Sequence, residues 1–135
     1  MATLKLEIVT PEGLTYSEDV DMVTLPAAEG EMGVFPHHVP LMTQVVAGEV
    51  AARRNGRDEW LAVGDGFVEI TGNRVAILTD MAIRAEQIDE AKVEEARKRA
   101  QARLAEKLDD EESALVSAAL AHSLAQLKVK RRKHV

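Results

Sequence analysis

Apolar and polar positions alternate through the first part of the chain. In LKLEIV, Leu4, Leu6 and Ile8 alternate with Lys5, Glu7 and Val9. That period of two marks a strand with one face buried. Pro11-Glu12-Gly13 follows with turn chemistry, Pro fixing φ and Gly allowing φ > 0. Asn55-Gly56 then lies between two strand-like arms, GEVAARR and RDEWLAVG. A type I′ hairpin turn needs φ > 0 at both central positions, and Asn-Gly supplies it. FVEIT and RVAILT flank Gly72-Asn73 as a second hairpin, and Gly64 and Gly66 break the chain before Phe67. Strands so frequent, with turns between them and no helix, predict an antiparallel β-sandwich or flattened barrel.

After Ile83 the pattern becomes helical. From Glu90 to Leu108 there is no Gly or Pro, and Ala, Glu, Lys and Arg dominate. Asp89 is placed to cap the helix, with Ile88 and Val93 as a hydrophobic staple across its first turn. Ala96, Ala100, Leu104 and Leu108 recur every fourth residue as a single stripe. LDDEESAL interrupts this helix, and Asp109 with Glu112 resembles a capping box for a second. The second helix places Val116, Leu120, Leu124 and Leu127 on one face, with Ala114, Ala118, Ala121 and Ala125 beside them. The chain therefore divides into a β-sandwich over residues 1–86 and a two-helix antiparallel hairpin over 87–135. Helix 1 is expected at about 90–108 and helix 2 at about 111–130. An alanine seam buries one methyl where leucine buries four carbons, at about 0.8 kcal/mol per CH₂. Such a seam suits a hairpin that detaches and equally one docked permanently through close Ala contacts.

Charge sharpens this division. The net charge is −6, yet residues 1–86 hold 14 acidic and 6 basic side chains while residues 87–135 hold 9 and 11. The halves differ in sign, as two parts with different tasks do. There is no cysteine, which excludes disulfides and thiolate metal sites and fits a reducing compartment. No signal or transit pattern opens the chain, and no apolar run reaches the roughly 20 residues of a membrane span. A soluble protein without direct membrane insertion is expected.

Familiar catalytic motifs are missing from the sequence. The chain has no G-x-x-x-x-G-K-[ST] loop, no H-E-x-x-H and no G-x-S-x-G, and Gly30-Glu31-Met32-Gly33 lacks dinucleotide spacing. His37-His38 suggests a metal, but adjacent side chains on an extended chain point to opposite faces and no third ligand cluster accompanies them. The reading is no metal and no catalytic residue, with one imidazole buried and hydrogen-bonded and the other exposed. The basic end, Lys128, Lys130, Arg131, Arg132 and Lys133, has three readings: nucleic acid, a solvated helix end, or an acidic protein surface. One Trp, one Tyr and two Phe offer little for stacking bases, and the β half is acidic, so nucleic acid is set aside. Exposed ion pairs contribute about 0.2–1 kcal/mol each and are screened by salt, so an acidic protein surface would be held reversibly.

The segment VTLPAAEGEMGVFPHHVPLMT resembles the signature of the ε subunit family of F-type ATP synthases, L-P-x-x-x-G-E-x-G-[IV]-x-P-x-H-x-P-L-x-T. Leu25, Pro26, Gly30, Glu31, Gly33, Val34, Pro36, His38, Pro40, Leu41 and Thr43 match it. The resemblance runs on through GFVEI and VAILTD to both helices. It implies a non-catalytic central-stalk subunit that turns with the rotor and couples ion flow to ATP synthesis. Its sandwich would bind the γ subunit and the membrane rotor ring of c subunits. Its hairpin would extend toward the catalytic α and β subunits, meet an acidic segment of β through its basic end, and inhibit ATP hydrolysis. The implied location is the cytoplasmic face of the cell membrane, peripheral through the complex, of bacterial rather than organellar type.

Carried over by position, Glu31 matches a site facing the rotor ring and His38 one near γ. Gly30 and Gly33 would permit a tight exposed turn that Pro36 and Pro40 stiffen for docking. His37 stands where many members have glycine, which demands either a strained backbone or a remodelled loop. Some members bind ATP through I/L-D-x-x-R-A. Here Ile88 and Asp89 match, while Lys92 replaces Arg and Val93 replaces Ala, and a lysine lacks arginine's planar fork. No cofactor is required, with ATP as a regulatory ligand in the alternative reading of an ATP-sensing module.

Overall fold

The alternation read from the sequence builds ten strands in the computed structural model, which describes residues 2–132. They are β1 (Leu4–Thr10), β2 (Gly13–Val20), β3 (Met22–Ala27), β4 (Gly30–Val34) and β5 (His38–Val45). β6 (Gly48–Arg54), β7 (Arg57–Val63), β8 (Gly66–Gly72), β9 (Arg74–Thr79) and β10 (Ala82–Arg84) complete the set. The strand order is β10-β7-β6-β3-β5-β8-β9-β1-β2, with β4 paired to β3. β3 and β5 share only the pair Ala27 and Val45, so the sheet folds there into two layers. Every pairing is antiparallel except β1 with β9, where the first strand slots in parallel between β9 and its own hairpin partner β2.

The inner phase of each strand supplies one core. Leu4, Leu6 and Ile8 meet Val68, Ile70, Val75 and Ile77 in one layer and Val23, Leu25, Val50, Leu61 and Val63 in the other, all fully buried. The Asn55-Gly56 turn is formed as expected, with φ of 53° and 77°. Gly66 answers to a close approach: a Cβ there would lie 1.8 Å from the Leu78 carbonyl oxygen across the β8–β9 ladder.

A 3₁₀ turn, Ala85–Gln87, leads to α1 (Glu90–Leu104) and α2 (Asp110–Lys130). Both predicted N-caps are in place: Asp89 accepts from the Lys92 N–H at 3.2 Å and Asp109 from the Glu112 N–H at 2.8 Å. The capping box is only half formed, because the Glu112 carboxylate accepts from Arg103. Helix 1 ends at Leu104, short of the expected 108. The Ala105 and Glu106 N–H groups close back three residues onto Ala102 and Arg103, tightening the last turn. Asp109 must be extended to cap α2, so the chain has to leave the helix and reverse before it.

The stripe on α1 faces inward as expected, with Ala100 buried and Ala96 and Leu104 half-buried; Leu108, expected on it, is half-buried beyond the helix end. On α2 the expected face is corrected at one position: Leu127 and Ala125 are buried as expected, but Leu124 is 47% exposed, and Ser123 and Val129, outside the expected face, are buried. The reason is that α2 lies between α1 and strands β6 and β7, so two sides of it are covered and Leu124 falls outside both.

Candidate functional site

The opening segment of the signature is a strand rather than a loop. Gly30, Glu31 and Gly33 lie on β4, paired with β3, and the chain turns at Ala28-Glu29 and again at Pro36-His37. Gly30 takes φ of 125°, while Gly33 has ordinary φ and instead makes room for the Met22 side chain. His37 adopts φ of 66°, the left-handed conformation a glycine would take without strain, and its N–H is tied to the Asn73 side chain at 2.8 Å. The histidine expectation holds for exposed His37 and is corrected for His38, which is hydrogen-bonded but only half-buried, so neither ring enters the core. His38 Nδ1 lies 2.6 Å from the Val39 carbonyl, to which it donates. No group of three His, Asp or Glu able to hold a metal occurs among the described residues. Among them, too, no helix is long and apolar enough to cross a membrane.

β5 carries His38 and Pro40 across a bulge, the position in a sheet where a proline is tolerated. One side of β5 pairs with β8. The other meets β3 only at Val45, leaving His38 to Met42 as an open strand edge with Val39, Leu41 and Met42 exposed. Beside this edge, the outer face of the β5-β8-β9-β1-β2 layer carries an apolar row. Phe67 lies opposite Leu78, Leu78 beside Val9, and Val9 opposite Leu14. Phe67, Leu78 and Leu14 are each more than half exposed.

The outer face of the other layer is covered by the hairpin. Ala62 on β7 is fully buried against Ala125, Val129 and Ile88, with Trp60, Ile83 and Val93 around them. His122 Nε2 meets Asp80 Oδ1 at 3.0 Å midway along α2, directly over Gly64, where any Cβ would collide with both. At the end of α2 the basic residues converge on carboxylates of this same chain. Arg132 donates to both oxygens of Glu49 at 2.7 and 2.6 Å, Lys128 reaches Glu49 at 3.3 Å, and Arg131 reaches Glu90 and Glu94 at 2.5 and 2.8 Å. The Arg132 guanidinium also stacks 3.8 Å above the Trp60 ring centre. Lys130 stands apart, 3.4 Å from the Ala85 carbonyl, and Lys133 lies outside the described residues.

The carboxylates respond to these neighbours. Burial pushes the Glu49 carboxyl upward, but hydrogen bonds from Arg132 and Lys128 outweigh it and hold the group below the usual range. The Arg97 hydrogen bond, joined by that of Arg131, pulls Glu94 down to about 2. Glu31 borders a groove with Glu49, Asp58 and Trp60 on the hairpin side.

The three residues matched to a nucleotide motif sit in different surroundings. Ile88 is buried in the hairpin contact, the Asp89 carboxylate accepts from the backbone, and Lys92 is exposed. Glu49, Trp60, Phe67 and Leu78 went unnoticed in the sequence. The signal for the last two was phase: in GFVEITG and RVAILT they share the polar phase with Glu69 and Arg74.

The family model described as ATP synthase, Delta/Epsilon chain, beta-sandwich domain matches residues 3–85, and the corresponding long alpha-helix domain matches residues 86–131. The chain is similar to the ATP synthase epsilon chain of Dehalococcoides mccartyi, at 47% identity over 99% of this chain and 98% of the relative. It is similar to the ATP synthase epsilon chain of Nitratidesulfovibrio vulgaris at 40% identity, covering 95% and 96%. In fold it resembles a chain of the Euglena gracilis mitochondrial ATP synthase structure containing OSCP, F1 and c-ring. The TM-score is 0.79 at 24% identity, over 98% of this chain and 83% of that one.

Proposed function

The chain belongs to the ATP synthase delta/epsilon family, and from that premise we propose that it is the non-catalytic central-stalk subunit of an F-type enzyme, turning with the rotor to couple ion translocation to ATP synthesis. One observation carries this reading: the sandwich leaves an apolar row and an open β5 edge on the face opposite its own hairpin. Unpaired strand edges and exposed apolar rows are liabilities unless a partner covers them. Fully burying a large apolar side chain contributes about 1.5–3 kcal/mol, so covering half-exposed Phe67, Leu78, Leu14 and Met42 contributes about 1 kcal/mol each. The partner for this surface is the γ subunit, with His38 and Pro40 at its edge. Glu31, Gly30, Gly33 and Pro36 serve contact with the c-subunit ring.

The hairpin is the regulatory part. Extended, it presents Lys128, Lys130, Arg131, Arg132 and Lys133 to an acidic segment of the catalytic subunits and restrains ATP hydrolysis. The bacterial sources of the relatives support a peripheral position at the cytoplasmic face of a bacterial membrane. Truncating the chain after Gln87 tests the reading: assembly persists and ATPase activity of the complex rises. Unchanged hydrolysis would refute inhibition by the hairpin, and lost assembly would refute docking through the sandwich.

A second reading, nucleotide sensing by the folded hairpin, has a groove between α1 and α2 in its favour, lined by Arg97, Lys128, Arg131 and Arg132 beyond the start of α1 where Ile88, Asp89 and Lys92 lie. These cations are already engaged by Glu94, Glu49 and Glu90. The reading predicts heat on titrating the full chain with millimolar MgATP, and no heat removes it.

A further inference from the structure

Resting on the regulatory reading of the hairpin, we infer that Glu49 and Trp60 form a clasp for Arg132. The clasp holds the hairpin down and keeps its cations from an acidic partner. Glu49 projects from the outer face of β6, and its side chain is only 7% exposed although it is a carboxylate. A carboxylate so covered is stable only with cations against it. Both come from the end of α2, Arg132 through two parallel hydrogen bonds and Lys128 through its ammonium. The Arg132 fork matches the carboxylate in a plane, and Trp60 supplies a face for the same guanidinium to rest on. The apolar contact beside it buries Ala62, Ala125, Val129 and Ile88, with Trp60, Met81, Ile83 and Val93 packed around them. Lifting the hairpin therefore strips the cations from Glu49 and uncovers the indole of Trp60.

The clasp has a second consequence. Lys128, Arg131 and Arg132, the residues that would meet an acidic partner, all rest on carboxylates of this chain. Glu49, Glu90 and Glu94 thus occupy in the folded state the cations that the partner's carboxylates would take in the extended one. Docking and inhibition compete for the same charges, and Glu49, on the sandwich, is the residue that sets the balance.

The chain has no cysteine, so labels at Ser117→Cys on α2 and Glu69→Cys on β8, both exposed, report the distance between hairpin and sandwich in the full chain. Glu49→Gln is expected to raise the ratio of open to docked hairpin at least about tenfold, the factor carried by one lost charge-assisted contact of this kind. Arg132→Gln, which leaves the sandwich untouched, should do the same, and the double variant should add nothing further. A Glu49→Gln or Arg132→Gln distance distribution identical to that of the parent overturns the clasp. In the assembled complex, Glu49→Gln should lower ATPase activity, and unchanged hydrolysis despite a released hairpin overturns the competition. The label distances do not depend on inhibition, so a clasp that fails there leaves the truncation result standing, and a truncation without effect leaves the clasp standing.

Discussion

The sandwich has two outer faces built by the same alternation, and they differ in what the polar phase contains. On the hairpin side, Ala62 lies buried against Ala125 and Val129 of α2, and Glu49 and Trp60 hold its end. On the opposite side, Phe67, Leu78, Leu14 and Met42 stand out from the sheet, each more than half exposed. Small residues with charged clamps suit a contact that forms and breaks. Large apolar residues beside an open strand edge suit a contact made once, at assembly. Under the proposed function, the bare face is covered permanently and the hairpin face exchanges.

The largest effect is expected where that assignment is most exposed to test. Phe67→Asp with Leu78→Asp places two unpaired charges in the row, each costing a few kcal/mol when desolvated. Association with the rest of the stalk should fall by about a thousandfold or more, while the melting temperature of the isolated chain stays within a few degrees, because neither side chain is in the core. Equal losses of folding and binding would show that the bare face is structural. A smaller effect is expected from Ala62→Leu, where overpacking costs about 1–3 kcal/mol. That cost should fall on the hairpin, seen as faster amide exchange in α2 with the β8–β9 amides unchanged. Exchange rising equally in both would merge the two faces into one cooperative unit.

The smallest effect concerns pH. Glu94, held down to about 2 by Arg97 and then Arg131, stabilises the folded hairpin fully above its unfolded value of 4.5. This contribution is lost as pH falls from 4.5 toward 2, and Glu49, also lowered, loses its share in the same direction. A label on α2 should therefore report loosening at acid pH before the buried Tyr16 reports unfolding of the sandwich. Simultaneous transitions would contradict separate stabilities.

Much of this architecture was legible because local chemistry and tertiary structure agree. Alternation placed Leu4, Leu6 and Ile8 in the core, Asn55-Gly56 demanded its turn, and Asp89 and Asp109 capped the helices they precede. What was not legible depended on partners distant in sequence. Leu124 was expected inside because a single helix face was assumed, whereas α2 is covered from two sides. Glu49 is 83 residues from Arg132, and nothing local to either announces the pair. His37 shows the limit most clearly, since its left-handed backbone was foreseen as a difficulty but its hydrogen bond to Asn73, 36 residues away, was not.

The division between a permanent and an exchanging face is tested most directly by hydrogen–deuterium exchange on the full chain, free and within the assembled complex. The account predicts that assembly slows exchange along the open edge of β5, from His38 to Met42, and across β8 and β9 under Phe67 and Leu78. Exchange in β6 and β7 should instead follow the position of the hairpin. Protection confined to β6 and β7, with β5, β8 and β9 exchanging as in the free chain, would contradict it.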